Sequence, residues 1–278
     1  MRRQPRFLLK HACAVTRTSF TGPITMPLKP DQLPAFFFSN SDACPYLPNR
    51  VERKLFTYAG NRLAAQLYDE LIKFGFRRSQ YALYRTACPS CSACLPVRIR
   101  TRAFQPSNSQ KRILHRNRMI KRRISEPVAD HRQFELFQKY LRTRHQDGSM
   151  AEMTETDYVE MLESTAARTR LVLYHDKGDA LVAACITDIM NDGISMLYSY
   201  FDPDAKAASL GKFMVLDHVR IALRLSPRFQ YVYLGYWIPT ARKMDYKSHF
   251  SALEVLRDGE WRDIGNPDDY LPDQFPPL

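Results

Sequence analysis

Between Arg170 and Phe201 three apolar runs, RLVLYH, ALVAACITDIM and ISMLYSYF, are separated only by DKGD and NDG. Asp, Asn and Gly at those joints reach the positive backbone angles of tight hairpin turns, so the runs are predicted to fold back on one another as an antiparallel meander. The period then changes. In SLGKFMVLDHVRIALRLS, the residues Phe213, Val215, Leu216, Val219 and Leu223 recur at helical spacing, with Leu210 and Gly211 just inside the start. YVYLGYW after it reads as a buried strand, followed by a segment ending in LEVL.

Hairpin, third strand, short glycine-containing turn, helix and strand is the layout of an acetyltransferase-type fold. The expected class is therefore α+β, with a GNAT-type mixed sheet and its helices over 126–278. Two helices precede the meander, one opened by Asp130 with Phe134, Phe137 and Leu141 on a face, the other by Thr154 with Asp157 as its capping-box partner. A smaller Cys-containing α/β region is expected over 31–125. Within it Leu63, Leu67, Leu71 and Phe74 precede Gly75 as an amphipathic helix and its stop, and SQYALYR follows as a short strand. Residues 1–30 are basic, rich in Pro and Thr and without periodicity, and read as a disordered leader. Met26 is an alternative start, and an Arg-rich leader without acids also has the character of a mitochondrial transit peptide.

Charge is distributed unevenly. From Leu71 to Ser125 there is no Asp or Glu, yet 14 Lys and Arg, ten of them from Arg98 to Arg123, within a chain of net charge +12. The C-terminal DGEWRDIGNPDDYLPDQF carries six acids and one base, so the belt answers a local demand for an anionic partner and not a compositional drift. A solvated Arg-rich face is the bland alternative. A mean hydropathy of −0.41 describes a soluble protein, and no apolar run approaches the roughly 18–20 residues of a bilayer span. Neither GxxxxGK[ST] nor GxGxxG occurs, so no nucleotide-binding loop is legible.

Six cysteines are too sparse for a disulfide scaffold, and their grouping points to thiol or metal chemistry in a reducing compartment, the cytoplasm. Cys88, Cys91 and Cys94 recur at intervals of three in ACPSCSACLPVR and supply three ligands for zinc or an iron–sulfur cluster, with redox-sensitive free thiols as the alternative. Cys13 and Cys185 stand apart.

The chain resembles the bacterial aspartate/glutamate leucyltransferases, relatives of the arginyl-tRNA protein transferases, over about residues 40–262. The resemblance rests on CPYLP, GFRRS, YRTACPSCSACLPVRI, FQPSNSQKR, YSYFDPDAKAASLG, YVYLGYWI and MDYKSHFSALE. Asn108 departs from it, standing where relatives carry a basic residue. The resemblance implies transfer of an amino acid from aminoacyl-tRNA to the N-terminus of a protein beginning with Asp or Glu, marking it for degradation (an N-degron), and makes Cys44 the fourth metal ligand. Leucine and arginine as donors remain open, and an acyl-CoA N-acetyltransferase or a non-catalytic RNA-binding module are the competing readings. An aminoacyl ester is already activated, so no cofactor is required for the chemistry.

Site expectations follow. Gln110, Lys111, Arg112, Arg116, Arg118, Lys121, Arg122 and Arg123 are expected on tRNA, whose phosphates reward cations. Arg77 and Arg78, then Arg85, are expected to grip the acceptor carboxylate, which an arginine fork does best. Tyr84, Ser209, Gly211, Tyr246 and Lys247 complete the substrate-binding set, with Lys247 near the acyl donor or simply solvated. No catalytic base is assigned. An α-amine of pKa about 7.7–8 is partly neutral near pH 7.5, so positioning carries most of the catalysis.

Overall fold

A computed structural model describes residues 34–58, 64–144, 149–165, 167–205 and 208–271. The expected leader, Leu63 and Cys13 lie outside them. In chain order the elements are β1 (Phe37–Phe38), β2 (Asp42–Ala43), β3 (Val51–Glu52), β4 (Lys54–Tyr58), α1 (Ala64–Leu71), β5 (Arg77–Ser79), β6 (Ala82–Thr86), β7 (Leu95–Arg100), α2 (Asn108–Arg116) and β8 (Lys121–Ser125). They continue with α3 (His131–Arg144), α4 (Glu155–Glu163), β9 (Thr169–His175), β10 (Leu181–Ile189), β11 (Gly193–Phe201), α5 (Leu210–Leu225), β12 (Tyr231–Trp237), β13 (Leu253–Arg257) and β14 (Glu260–Asp263).

The class is α+β. An eight-stranded sheet runs β14-β13-β7-β12-β11-β10-β9-β8, antiparallel throughout except for β11 against β12. A four-stranded sheet runs β1-β4-β6-β5. The meander forms as its turn residues require, with β9, β10 and β11 paired consecutively. The domain division expected after residue 125 does not separate the sheets: β7 sits at the centre of the large one and β8 at its edge. Arginines obscured the β7 pattern. Leu95, Val97 and Ile99 join the core on one face, while Arg98 on the other lies 3.6 Å from the Tyr231 ring and 4.1 Å from that of Trp261 and bonds Glu254 at 2.7 Å.

Three apolar clusters hold the layers together. On one face α2 and α5 bury Ile113, Phe213, Met214 and Leu216 against Val97, Val232 and Leu234. Opposite, α3 and α4 pack Phe137, Leu141, Tyr158 and Leu162 on Leu171, Ile186 and Tyr200. Both helices start as expected: Asp130 accepts the Gln133 N–H at 2.9 Å, and Thr154 with Asp157 closes a capping box. The small sheet and α1 press Leu67, Tyr68, Phe76 and Leu83 onto Tyr233 and Met190. Gly75 ends the α1 segment at φ +81°. SQYALYR is not one strand but the turn and second arm of a hairpin, because Gln80 turns at φ +51° between β5 and β6.

Candidate active site

Strands β11 and β12 pair only over Gly193–Ser195 and Tyr231–Tyr233, then part. The parting has a local cause on each strand. On β11 the register to β10 slips so that Leu197 is an extra residue, and on β12 the register to β7 slips at Leu234. Gly235, at φ +76°, supplies the backbone that the second bulge needs. The carbonyls past the slips must find donors other than the neighbouring strand.

Two cations provide them. Arg77 donates from Nη2 to the carbonyls of Leu197 at 2.8 Å and Met196 at 3.3 Å. Lys247 donates from Nζ to the carbonyls of Leu234 at 2.9 Å and Tyr236 at 2.6 Å. Neither has a carboxylate partner among the described residues. The Arg77 Nη1 is buried without a hydrogen bond and lies against Gly235, where a Cβ would overlap it. Burial, and then the Arg77 charge, bring the Lys247 ammonium down to about 7. Lys247 is thus not a solvated lysine.

The walls of this cleft are phenols and the small sheet. Tyr236 donates to the Gly75 carbonyl at 2.9 Å and accepts from the Thr86 N–H at 3.3 Å. Burial holds it well above the ordinary phenol range, with Tyr84 nearby adding to the effect. Tyr246 is likewise raised by burial, and Arg77 is near enough to oppose the shift. Arg85 lies 5.8 Å from the Phe76 ring, its pKa lowered by burial and countered by Tyr236.

Arg78 belongs elsewhere. Successive strand residues face opposite ways, so Arg77 enters the cleft while Arg78 goes to Asp188, bonding it through Nε and Nη2 at 2.8 Å each. That pair is buried and joined by Thr169, which donates to Asp188 at 2.7 Å. An arginine whose fork already holds a carboxylate cannot read a second one. Ser209 and Gly211 lie at the start of α5, Gly211 against Phe201 and Ser209 at φ +51°.

The basic belt divides in two. Arg98, Arg100 and Arg122 pair with Glu254, Asp263 and Asp217, which lie far along the chain. Lys111, Arg112, Arg116, Arg118, Lys121 and Arg123 remain exposed on α2, β8 and the turn between them. A groove of about 580 Å³ lies among α2, β8 and α5, lined by Lys111, Arg118, Arg122 and Arg220. Gln110 is not among the exposed residues. Its Oε1 accepts the Ser107 N–H at 2.9 Å and its Nε2 donates to the His249 carbonyl at 3.0 Å, which ties α2 to the turn carrying Lys247.

Cys88 and Cys91 pair through their backbones beside Ile238 with their thiols free, and Cys94 and Cys44 lie near them. Burial, and then the thiols of Cys88, Cys44 and Cys91, push Cys94 up to about 12. Four thiols are a donor set that suits zinc or an iron–sulfur cluster, although among the described residues no three ligand side chains stand in an arrangement that would hold a metal ion.

Sequence reasoning overlooked Gly235, and a signal was present: a lone glycine inside a buried strand marks a bulge or a close approach. It also overlooked Arg220 in the groove.

Comparison with known proteins identifies the family. The family described as "Arginine-tRNA-protein transferase, N terminus" matches residues 42–112, and its "C terminus" counterpart residues 132–257. The aspartate/glutamate leucyltransferases of Cereibacter sphaeroides and Dinoroseobacter shibae are each 45% identical to this chain, over 91% of it and 90% of theirs. That of Paracoccus denitrificans is 43% identical over 87% and 90%. Among solved structures, that of L-PGS from Bacillus licheniformis aligns with a TM-score of 0.42 and 12% identity, over 66% of this chain and 52% of that one. The chain belongs to the arginine-tRNA-protein transferase family.

Proposed function

We infer that this protein transfers leucine from leucyl-tRNA to the N-terminal amine of proteins beginning with Asp or Glu, acting in the cytoplasm as the marking step of an N-degron pathway. One observation carries the reading to this fold: two cations, Arg77 and Lys247, sit near one another where β11 and β12 part, bonded among the described residues only to backbone carbonyls. A positive, partly water-excluded cleft favours an acidic acceptor and also stabilises charge on an ester carbonyl during attack. The parting of two parallel strands beside α5 supports the GNAT-like reading of the large sheet.

The reaction needs no external energy source. The acceptor amine attacks the leucyl ester, the new C–N bond forms, and the bond to the terminal ribose oxygen breaks. What the protein supplies is placement. The exposed cations of α2 and β8 suit tRNA phosphates, and Arg77 suits the acceptor carboxylate. Incubation with charged tRNA and short peptides tests the function. Leucine is expected on Asp- and Glu-starting peptides and not on an Ala-starting one. Transfer from arginyl-tRNA in place of leucyl-tRNA would overturn the donor, and equal transfer to all three peptides would overturn the acceptor reading.

The cysteines are read as a structural tie: Cys44, Cys88, Cys91 and Cys94 would hold zinc or an iron–sulfur cluster, joining the loop before β3 to that before β7. Protein purified anaerobically under reductant is expected to carry about one such site per chain, and Cys91→Ser to lose it, since a thiolate ligand has been removed. Elemental analysis checks this. Metal-free protein of full activity would leave the four as plain thiols.

A further inference from the structure

We propose that Lys247 is the proton acceptor that frees the incoming α-amine for attack, a role that rests on the aminoacyl-transfer reading above. The geometry carries it. Lys247 Nζ donates to two carbonyls of β12, those of Leu234 and Tyr236. An ammonium that has given up one proton keeps two N–H bonds, enough for both carbonyls, and its lone pair then points to the remaining tetrahedral position. The carbonyls therefore still orient the neutral amine, although they bind it less strongly than the ammonium, whose hydrogen bonds are charge-assisted.

Burial and the one charged neighbour favour the neutral form against the pull of the two carbonyls. From β5 the Arg77 guanidinium is the charge that acts on Lys247, and with burial it depresses the ammonium to about 7. From β12 come carbonyls and Tyr236, and on its own turn Tyr246; burial keeps both phenols neutral. Asp245 and His249, also on that turn, lie at the surface and face each other at 3.7 Å. No carboxylate approaches Lys247 among the described residues to hold its proton on.

Chemistry requires the two cations to be neighbours. In an N-terminal Asp or Glu the α-nitrogen and the side-chain carboxylate are separated by only a few bonds. A residue that grips the carboxylate and one that relieves the ammonium must therefore stand beside one another, as Arg77 and Lys247 do. The balance is simple. The acceptor's α-ammonium loses one proton to Lys247 and attacks as an amine. Of the two protons left on nitrogen, one ends on the ribose oxygen as the ester C–O bond breaks and one remains on the amide. Lys247 then returns its proton to water.

Lys247→Arg separates this from a structural role. Arginine retains two donors for the carbonyls and a positive charge, but it does not deprotonate. Single-turnover transfer from leucyl-tRNA to an Asp-starting peptide is expected to fall about a hundredfold, the scale of a lost general base, with tRNA affinity unchanged. The rise of rate through about pH 7 should vanish, leaving only the titration of the peptide amine at about pH 8. Lys247→Met is expected to lose the same inflection, and circular dichroism with tRNA binding checks that it folds. Wild-type rates in Lys247→Arg, or an unchanged inflection near 7 in either variant, would overturn the proposal. Absence of leucyl transfer by the wild type would instead overturn the function it rests on.

Discussion

Arg77→Ala is expected to lower leucyl transfer to an Asp-starting peptide by about 2–4 kcal/mol, roughly thirtyfold to a thousandfold, while leucyl-tRNA affinity stays near wild type. The size follows from what the arginine faces. A carboxylate drawn into a partly desolvated cleft without a cation costs several kcal/mol, and Arg77 is the fork-shaped cation whose bonds at the parting of β11 and β12 are to neutral carbonyls. Removing it also strands the Met196 and Leu197 carbonyls, so a companion variant is needed. Gly235→Ala keeps every arginine in the sequence but sets a methyl group where the guanidinium Nη1 lies, on a backbone at φ +76° that alanine adopts poorly. It should reproduce the selective loss of transfer by displacing Arg77. Arg77→Lys should recover part of the rate, since charge returns without the fork. Parallel loss of tRNA binding in all three would assign Arg77 to the phosphate surface.

The meander and α5 were legible because turn chemistry and helical period agree with what the layers bury. The basic region was not. Between Arg98 and Arg123 the sequence shows a run of cations, and only the fold reveals a central strand, a capped helix and an edge strand within it. Arg98 defeats pattern reading because its partners, Glu254, Tyr231 and Trp261, lie more than a hundred residues away. For the same reason the cations could not be sorted into those that face solvent and those already paired. Pattern alone also cannot choose between Arg77 and Arg78. Adjacent on one strand, they face opposite sides, and which side is the cleft depends on Asp188. Gln110 was read by its basic neighbours as a tRNA contact, whereas the capping box it closes with Ser107 is a purely local signal that was available.

Asp188→Asn, or Arg78→Met, is expected to cost about 3–5 kcal/mol of stability, because either leaves one charge of a buried pair uncompensated. Both side chains are nearly inaccessible, at 2% and 0% exposure, so solvent cannot replace the missing partner. The pair also has a position that multiplies its effect. Arg78 is on β5 of the small sheet, Asp188 on β10 of the large one, and Thr169 on β9 closes the network through its donation to Asp188. Arg77 is the next residue along β5, so this ion pair fixes the height at which the neighbouring guanidinium enters the cleft. Urea titration of each variant measures the loss. The double variant Arg78→Met with Asp188→Leu should be more stable than either single one, since no stranded charge remains and apolar side chains fill similar space. It should nevertheless transfer leucine poorly, because the strand that carries Arg77 is no longer pinned in register. Single variants that unfold at the wild-type urea midpoint would mean that packing of Leu67, Tyr68 and Phe76 on Tyr233 alone sets the two sheets. A fully active double variant would show that Arg77 needs no help from Arg78 to reach its place.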